Sequence, residues 1–344
     1  SIMLPRGLFS RPGVVSNGLL CLLAVLVCLG SGCGPAGSGG GASEDSYPSK
    51  TATLVCPWNA GGGTDRVSRF LADALKQELG SPFVVQNKTG GSGAVGHSFG
   101  ANARPDGYTL TMGTFELSTM HWMGISDLTH ANYRPLMQVN ADAAALIVQQ
   151  DAPWKTIQDL VDHIKANPGK VQMSGTATGG AWDLARAGWQ LAAGLPVEAV
   201  LWVPTLGSAP SLVELMGGHI DVVCCSIPEA AAQIEAGELR VLGVMAGERL
   251  AAYPDVPTCK EAGIDWEMVG WRGLLLPKET PDTVVATLSQ ALEKITASEA
   301  YQSFMEKNGF GVQIRMGEAF ETFLAAEDTK WEQVIQATGY AQQP

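Results

Sequence analysis

The chain is predicted to be an α/β protein of two units facing each other across a cleft. Three observations carry this. From residue 50 onward, short apolar β-rich runs alternate with helical patterns. The alternation occurs twice, from about 50 to 148 and again from about 149 to 270. Each set also holds one glycine-rich turn between a strand and a helix, at residues 57–65 and 174–181.

In the first set, Ala52 to Pro57 reads as a strand. Thr64 to Leu79 reads as a helix, with Val67, Phe70, Leu71, Ala74, Leu75 and Leu79 on one face and Gly80 as its stop. Pro82 to Gln86, Tyr108 to Met112 and Ala143 to Val148 are further strands. Continuous apolar strands separated by helices imply parallel-type sheets covered on both faces. In the second set, Thr156 with Asp159 starts a helix that ends at Asn167-Pro168-Gly169. Val171 to Ser174 is a strand, and a helix follows from about Ala181 to Ala193. Glu198 to Val203, Ile220 to Cys225 and Leu239 to Met245 are strands, with Pro210 and Pro228 at helix starts. Gly270 to Leu276 is a last apolar run. Helices at Pro281 to Ile295, near Ala300 and at Gly317 to Ile335 fold back on one or both units. Chain crossings near 148 and 270 would form a hinge.

Ahead of the folded part, Arg6 and Arg11 precede an apolar run, Leu19 to Leu29, which ends in Gly30-Ser31-Gly32 and Cys33. That is the layout of a secretory signal, too short to span a bilayer comfortably. Cys33 after the small residues resembles a bacterial lipobox, with Gly30 where Leu is usual. The division expected is therefore a signal at 1–32, then a lipidated Cys33 and flexible Gly/Ser-rich tether over 33–48. Lobe 1 follows at 49–148, lobe 2 at 149–270, and a return crossing with C-terminal helices at 271–344, part of which joins lobe 1. The protein is placed outside the cytoplasm, anchored to the cell membrane through its lipid.

Hydrophobic residues make up 46% and charged residues 16%, enough apolar content for large cores. A net charge of -12, without clustered Lys and Arg, excludes nucleic acid as a partner. The overall field also repels anions, so an anionic ligand needs local donors. Cys56, Cys224, Cys225 and Cys259 show no metal spacing, and the strand-like surroundings of Cys56 and the 224–225 pair suit small buried hydrophobes. A disulfide among these four stays open.

The strongest local feature is Pro57-Trp58-Asn59-Ala60-Gly61-Gly62-Gly63-Thr64-Asp65. Glycines let the backbone pass close to a ligand, and the unpaired N–H groups of a helix's first turn hold an anion without Lys or Arg. Ser174 to Ala181 is a comparable turn in the second set, so each lobe can clamp one end of a ligand with two polar ends. An ordinary βα loop is the plainer reading of either turn alone. Gly91-Ser92-Gly93-Ala94-Val95-Gly96 matches the dinucleotide pattern G-x-G-x-x-G, with Glu116 near the spacing of a ribose ligand. It lies on the second strand instead of the first, and more simply forms a third wall of the cleft. No P-loop, G-x-S-x-G or H-E-x-x-H occurs, and the five His show no metal spacing. No enzyme activity, cofactor or metal is expected.

These residues resemble a known family. PWNAGGGTD at 57–65, VQNKTGGSG at 85–93 and PDGYTL at 105–110 are similar to the tripartite tricarboxylate transporter substrate-binding proteins, the Bug family. GGHID at 217–221, AGELR at 236–240, PDVPT at 254–258, GWRG at 270–273 and PKETP at 277–281 follow in family order. The resemblance covers about 50 to 340. It implies a type II periplasmic-binding-protein fold, two lobes closing like a flytrap, with ligand carboxylates held largely by backbone amides and water. Carried over, Trp58, Asn59, Gly62, Gly63, Thr64 and Asp65 form the first-lobe site. Ser174, Thr176, Thr178 and Gly179 answer from the second. Thr114 and Phe115, and Thr205 to Ser208 including Gly207, line the walls. The implied role is capture of a small carboxylate for the membrane permease subunits of such a transporter; a sensor presenting its closed form to a receptor fits the same residues.

Two departures stand near this pocket. Asp183 replaces a frequent His, and Thr205-Leu206-Gly207 replaces a Tyr-Lys-Gly. Glu116, were it to face the cleft, would disfavour a multiply charged anion and suit a ligand bearing an amine.

Overall fold

The computed structural model describes residues 47–341. The expected signal, Cys33 and most of the tether lie outside the described residues. The helices are α1 (Gly63–Leu79), α2 (Ala94–Ala101), α3 (Ile157–Ala166), α4 (Ala181–Ala192), α5 (Ser208–Met216), α6 (Ala231–Glu235), α7 (Asp282–Ala297), α8 (Glu299–Lys307) and α9 (Gly317–Thr338). The strands are β1 (Ala52–Cys56), β2 (Phe83–Asn87), β3 (Thr109–Thr114), β4 (Tyr133–Gln149), β5 (Gln172–Ser174), β6 (Leu201–Trp202), β7 (Val222–Ser226), β8 (Leu239–Val244), β9 (Val269–Pro277) and β10 (Val312–Met316).

Local signals explain most of these bounds. α1 buries Val67, Leu71, Ala72 and Leu75 along one stripe and stops at Gly80, whose left-handed φ of 74° lets its N–H reach Lys76 O. Thr156 and Asp159 form a reciprocal capping box that starts α3. Pro210 is the third residue of α5 and Pro228 the second of a 3-10 turn, both in the first turn, where a missing N–H is tolerated. The strand expected over 198–203 shrinks to β6. A 3-10 turn at Val197–Ala199 precedes it, held by Arg186 and Gln190 donating to Val197 O and by Gln190 donating to Pro196 O.

The strands run in the order β2-β1-β3-β9-β4-β7-β5-β6, with β8 and β10 also paired to β4. β1, β2 and β3 are mutually parallel, as are β5, β6 and β7. β4 and β9 run antiparallel to their neighbours, a direction that an apolar run cannot reveal. β4 is the shared strand. Its residues up to Ala143 pair with β9 and β10, and from Ala144 onward it pairs with β7 and β8. One core gathers Leu54, Leu71, Leu110, Leu288 and Tyr301. The other gathers Ile147, Leu160, Leu184 and Val222, and extends through Trp271 and Phe320 to Trp331 of α9. The architecture is therefore a two-lobed mixed α/β fold. Cys56, Cys224, Cys225 and Cys259 are free thiols and buried, and burial pushes Cys56 up to about 11 and Cys259 to about 12.

Candidate functional site

The cleft between the lobes is built from two turns with one backbone geometry. Gly61-Gly62-Gly63-Thr64-Asp65 and Gly179-Gly180-Ala181-Trp182-Asp183 share the pattern G-G-x-x-D. Gly61 and Gly179 take φ values of 88° and 75°, which an L side chain would strain. Gly62 and Gly180 then extend at φ/ψ of -75/172° and -76/171° as N-caps of α1 and α4. In each turn the aspartate, four residues on, accepts the N–H of the first glycine at 2.9 Å. The first-turn amides of both helices are thereby aimed by the same device, and they lack helical acceptors.

A cavity of about 40 Å³ lies between these helix ends. Trp58, Asn59, Gly62, Gly63, Thr64, Thr114, Phe115, Thr176 and Gly207 line it, as the sequence led us to expect. Five expected residues do not line it, each for a visible reason. Asp65 holds Gly61, Arg69 and Asn87. Ser174 turns to Val203 O and Ser211, and Thr205 to Gly207 O and Ser211. Thr178 offers its carbonyl to Ser92 across the cleft, and Gly179 N–H is taken by Asp183. The Gly91–Gly96 segment lines no part of the cavity. A Cβ on Gly96 would meet Lys88 O and Pro57 Cα at 2.7 Å, so this glycine serves the close seating of α2 on the β1 turn.

Sequence reasoning missed Ala181, Trp182, Ser226-bound Glu229, Gly270, Trp271 and Arg272, all except Ser226 in the cavity wall. Arg272 corrects the expectation of a cleft without basic side chains. Its side chain is 5% exposed; it pairs with Asp142 at 2.6 Å, donates to Asn140 and to Thr64 Oγ1 at 2.9 Å, and sits 3.5 Å from Glu229. A Cβ on Gly63 would lie 2.8 Å from Arg272 Nη2, so only glycine allows the guanidinium this close to the end of α1. Burial raises the Asp142 carboxyl above its ordinary range, against the opposing pull of Arg272. The repeated G-G-x-x-D was the signal that could have pointed to Ala181 and Trp182. Arg272 stood in the GWRG motif quoted above, but antiparallel pairing of β9 with β4 is what brings it into the cleft; Glu229 had no signal, because the packing of the 227–230 turn brings it in.

Glu116 does face the cleft, at 2% exposure. Its Oε1 accepts Ala181 N–H at 2.7 Å from the other lobe, and its Oε2 accepts the Thr114 hydroxyl. Thr114 Oγ1 in turn accepts Trp58 Nε1–H at 3.2 Å. His97 behind them accepts Thr114 N–H on Nε2 and therefore carries its proton on Nδ1, toward Gly93 O; burial lowers it to about 4, so it is neutral. Burial pushes the Glu116 carboxyl up. Asp183, in place of the frequent His, spans Gly179 N–H, Arg186 and Tyr340 instead of entering the cavity.

Two lobes whose helix N-termini converge on one cavity define a solute-binding protein. The chain belongs to the tripartite tricarboxylate transporter family receptors, whose family model matches residues 67–340. It is a binding protein, not an enzyme, as members of that receptor family are. It is similar to BugT of Bordetella pertussis, at 28% identity over 322 residues, covering 92% of this chain and 97% of that one. Among solved structures it is similar to the periplasmic binding protein BugD, with 28% identity, TM-score 0.82, 86% of this chain and 100% of the other. An R. palustris protein solved with adipate is 26% identical, with TM-score 0.80, covering 86% of this chain and 99% of that chain.

Proposed function

We propose that the protein captures a small organic carboxylate outside the cytoplasm and hands it to the membrane permease of a tripartite tricarboxylate transporter. The observation that carries this is the end of α1, where unpaired first-turn amides, Asn59, Ser208 and the Arg272 guanidinium converge on one cavity. Adipate in the R. palustris relative supports the ligand class. The guest's carboxylate takes the α1 end, held by main-chain donors and by Arg272, whose charge the acidic protein as a whole cannot supply. A guest larger than the present cavity requires the lobes to part around β4 and β9, with lobe 1 built on 49–148 and lobe 2 on 149–270. The N-terminal signal and a lipid on Cys33 would tether the receptor to its membrane.

Thermal unfolding with a panel of mono-, di- and tricarboxylates tests the reading. A true ligand at a hundredfold excess over its dissociation constant adds about 2.7 kcal/mol of stability. A panel in which no organic acid raises the melting temperature refutes it.

A further inference from the structure

The cavity has two chemically unlike ends. At the α1 end both carboxylates have a cation: Arg272 pairs with Asp142 and lies 3.5 Å from Glu229, which Ser226 N–H, Ser226 Oγ and Ser208 Oγ also hold at 2.8–3.0 Å. At the α4 end stands Glu116, with no basic side chain within salt-bridge distance among the described residues. The anion site that the α4 amides offer is already filled, because Ala181 N–H donates to this carboxylate. Thr114 supplies a second hydrogen to it, so its remaining lone pairs are acceptors in a cavity wall. Aromatic faces complete this wall: Trp58, Phe115, Trp182 and Trp271. A buried carboxylate among indole and phenyl rings repels a second carboxylate and attracts a cation, by charge and by the ring quadrupoles. Arg272 acts on Glu116 only at longer range, and His97, behind Thr114, is neutral and already bonded on both nitrogens.

We infer that the ligand is an amino-carboxylate, its carboxylate at the α1 end beside Arg272 and its ammonium group against Glu116 and the aromatic wall. Glu116 is then the residue that selects amino-carboxylates over dicarboxylates. This rests on the carboxylate-receptor reading above. It narrows that reading, because a plain dicarboxylate clamped between two helix ends would meet an internal carboxylate where its second anchor should be.

Calorimetric titration with matched pairs decides it. The pairs are 3-aminopropanoate against succinate, 4-aminobutanoate against glutarate and 5-aminopentanoate against adipate, with glycine and alanine added for short guests. At least one amino acid should bind tenfold or more tightly than every dicarboxylate. Glu116→Gln keeps the shape and an acceptor for Ala181 N–H; it should weaken that amino acid at least tenfold and bind dicarboxylates more tightly than the parent does. Dicarboxylates preferred by the parent protein, or a preference that Glu116→Gln leaves intact, overturn the inference while the receptor reading stands. Failure of every acid in both series overturns the inference, and failure of the mono-, di- and tricarboxylate panel as well overturns the receptor reading. Should the variant not fold, the parent's ratio within each pair is decisive alone.

Discussion

Replacing Arg272 with Met tests the organisation of the cleft most directly. Arg272 and Asp142 have side-chain exposures of 5% and 3% and meet at 2.6 Å. Removing one partner of such a pair leaves a buried charge uncompensated, which costs about 3–5 kcal/mol. The lower end applies here, because Asp142 retains Gly311 N–H at 2.7 Å and Asn140 Nδ2–H at 3.0 Å. Glu229 adds little to the cost, since three other donors hold it. The Asp142 carboxyl, already raised by burial, would rise further without the guanidinium. A carboxyl with a raised folded-state value loses stability as pH climbs from its ordinary range through that value, so the deficit of Arg272→Met should be smaller at pH 5 than at pH 7.5. Arg272→Met with Asp142→Asn should recover part of the loss, because the buried charge is gone and the amide oxygen still accepts from Gly311 N–H, although its Nδ2 replaces the oxygen that accepted from Asn140 Nδ2–H. Urea unfolding of the three proteins at both pH values measures this. A single variant within 1 kcal/mol of the parent, or a double variant no better than the single, would show the pair to be incidental.

Two further outcomes follow from the same geometry. Without ligand, Glu116→Gln should melt higher than the parent at neutral pH, and its advantage should grow as pH rises from the ordinary carboxylate range, because only the parent must ionise a buried carboxyl there; parallel melting curves across pH 4–8 would contradict this. Gly188→Ala should gain about 1 kcal/mol of helix propensity, yet a Cβ there would stand 2.0 Å from the Trp266 ring, and overpacking costs about 1–3 kcal/mol. A net loss in denaturant unfolding is expected, and a more stable variant would show that Trp266 moves aside freely.

What the amino-acid order determined alone was local. The α1 stripe, the Thr156 capping box and the Gly80 stop are decided within a few residues, by periodicity and by unpaired amides, so their bounds were legible. The two glycine turns were legible for the same reason, and with them the main-chain half of the cleft. β10 was not foreseen, since its Val312–Met316 is largely exposed and has strand geometry only through pairing with β4. Tertiary structure decided the side-chain half. Arg272, Asp142 and Glu229 stand far apart in the chain, and nothing near any of them says that antiparallel pairing of β4 with β9 will bury the first two together. Glu116 shows the division within one residue: its place after β3 was visible from the start, but its contact with the far lobe's Ala181 exists only because the two lobes meet around one cavity.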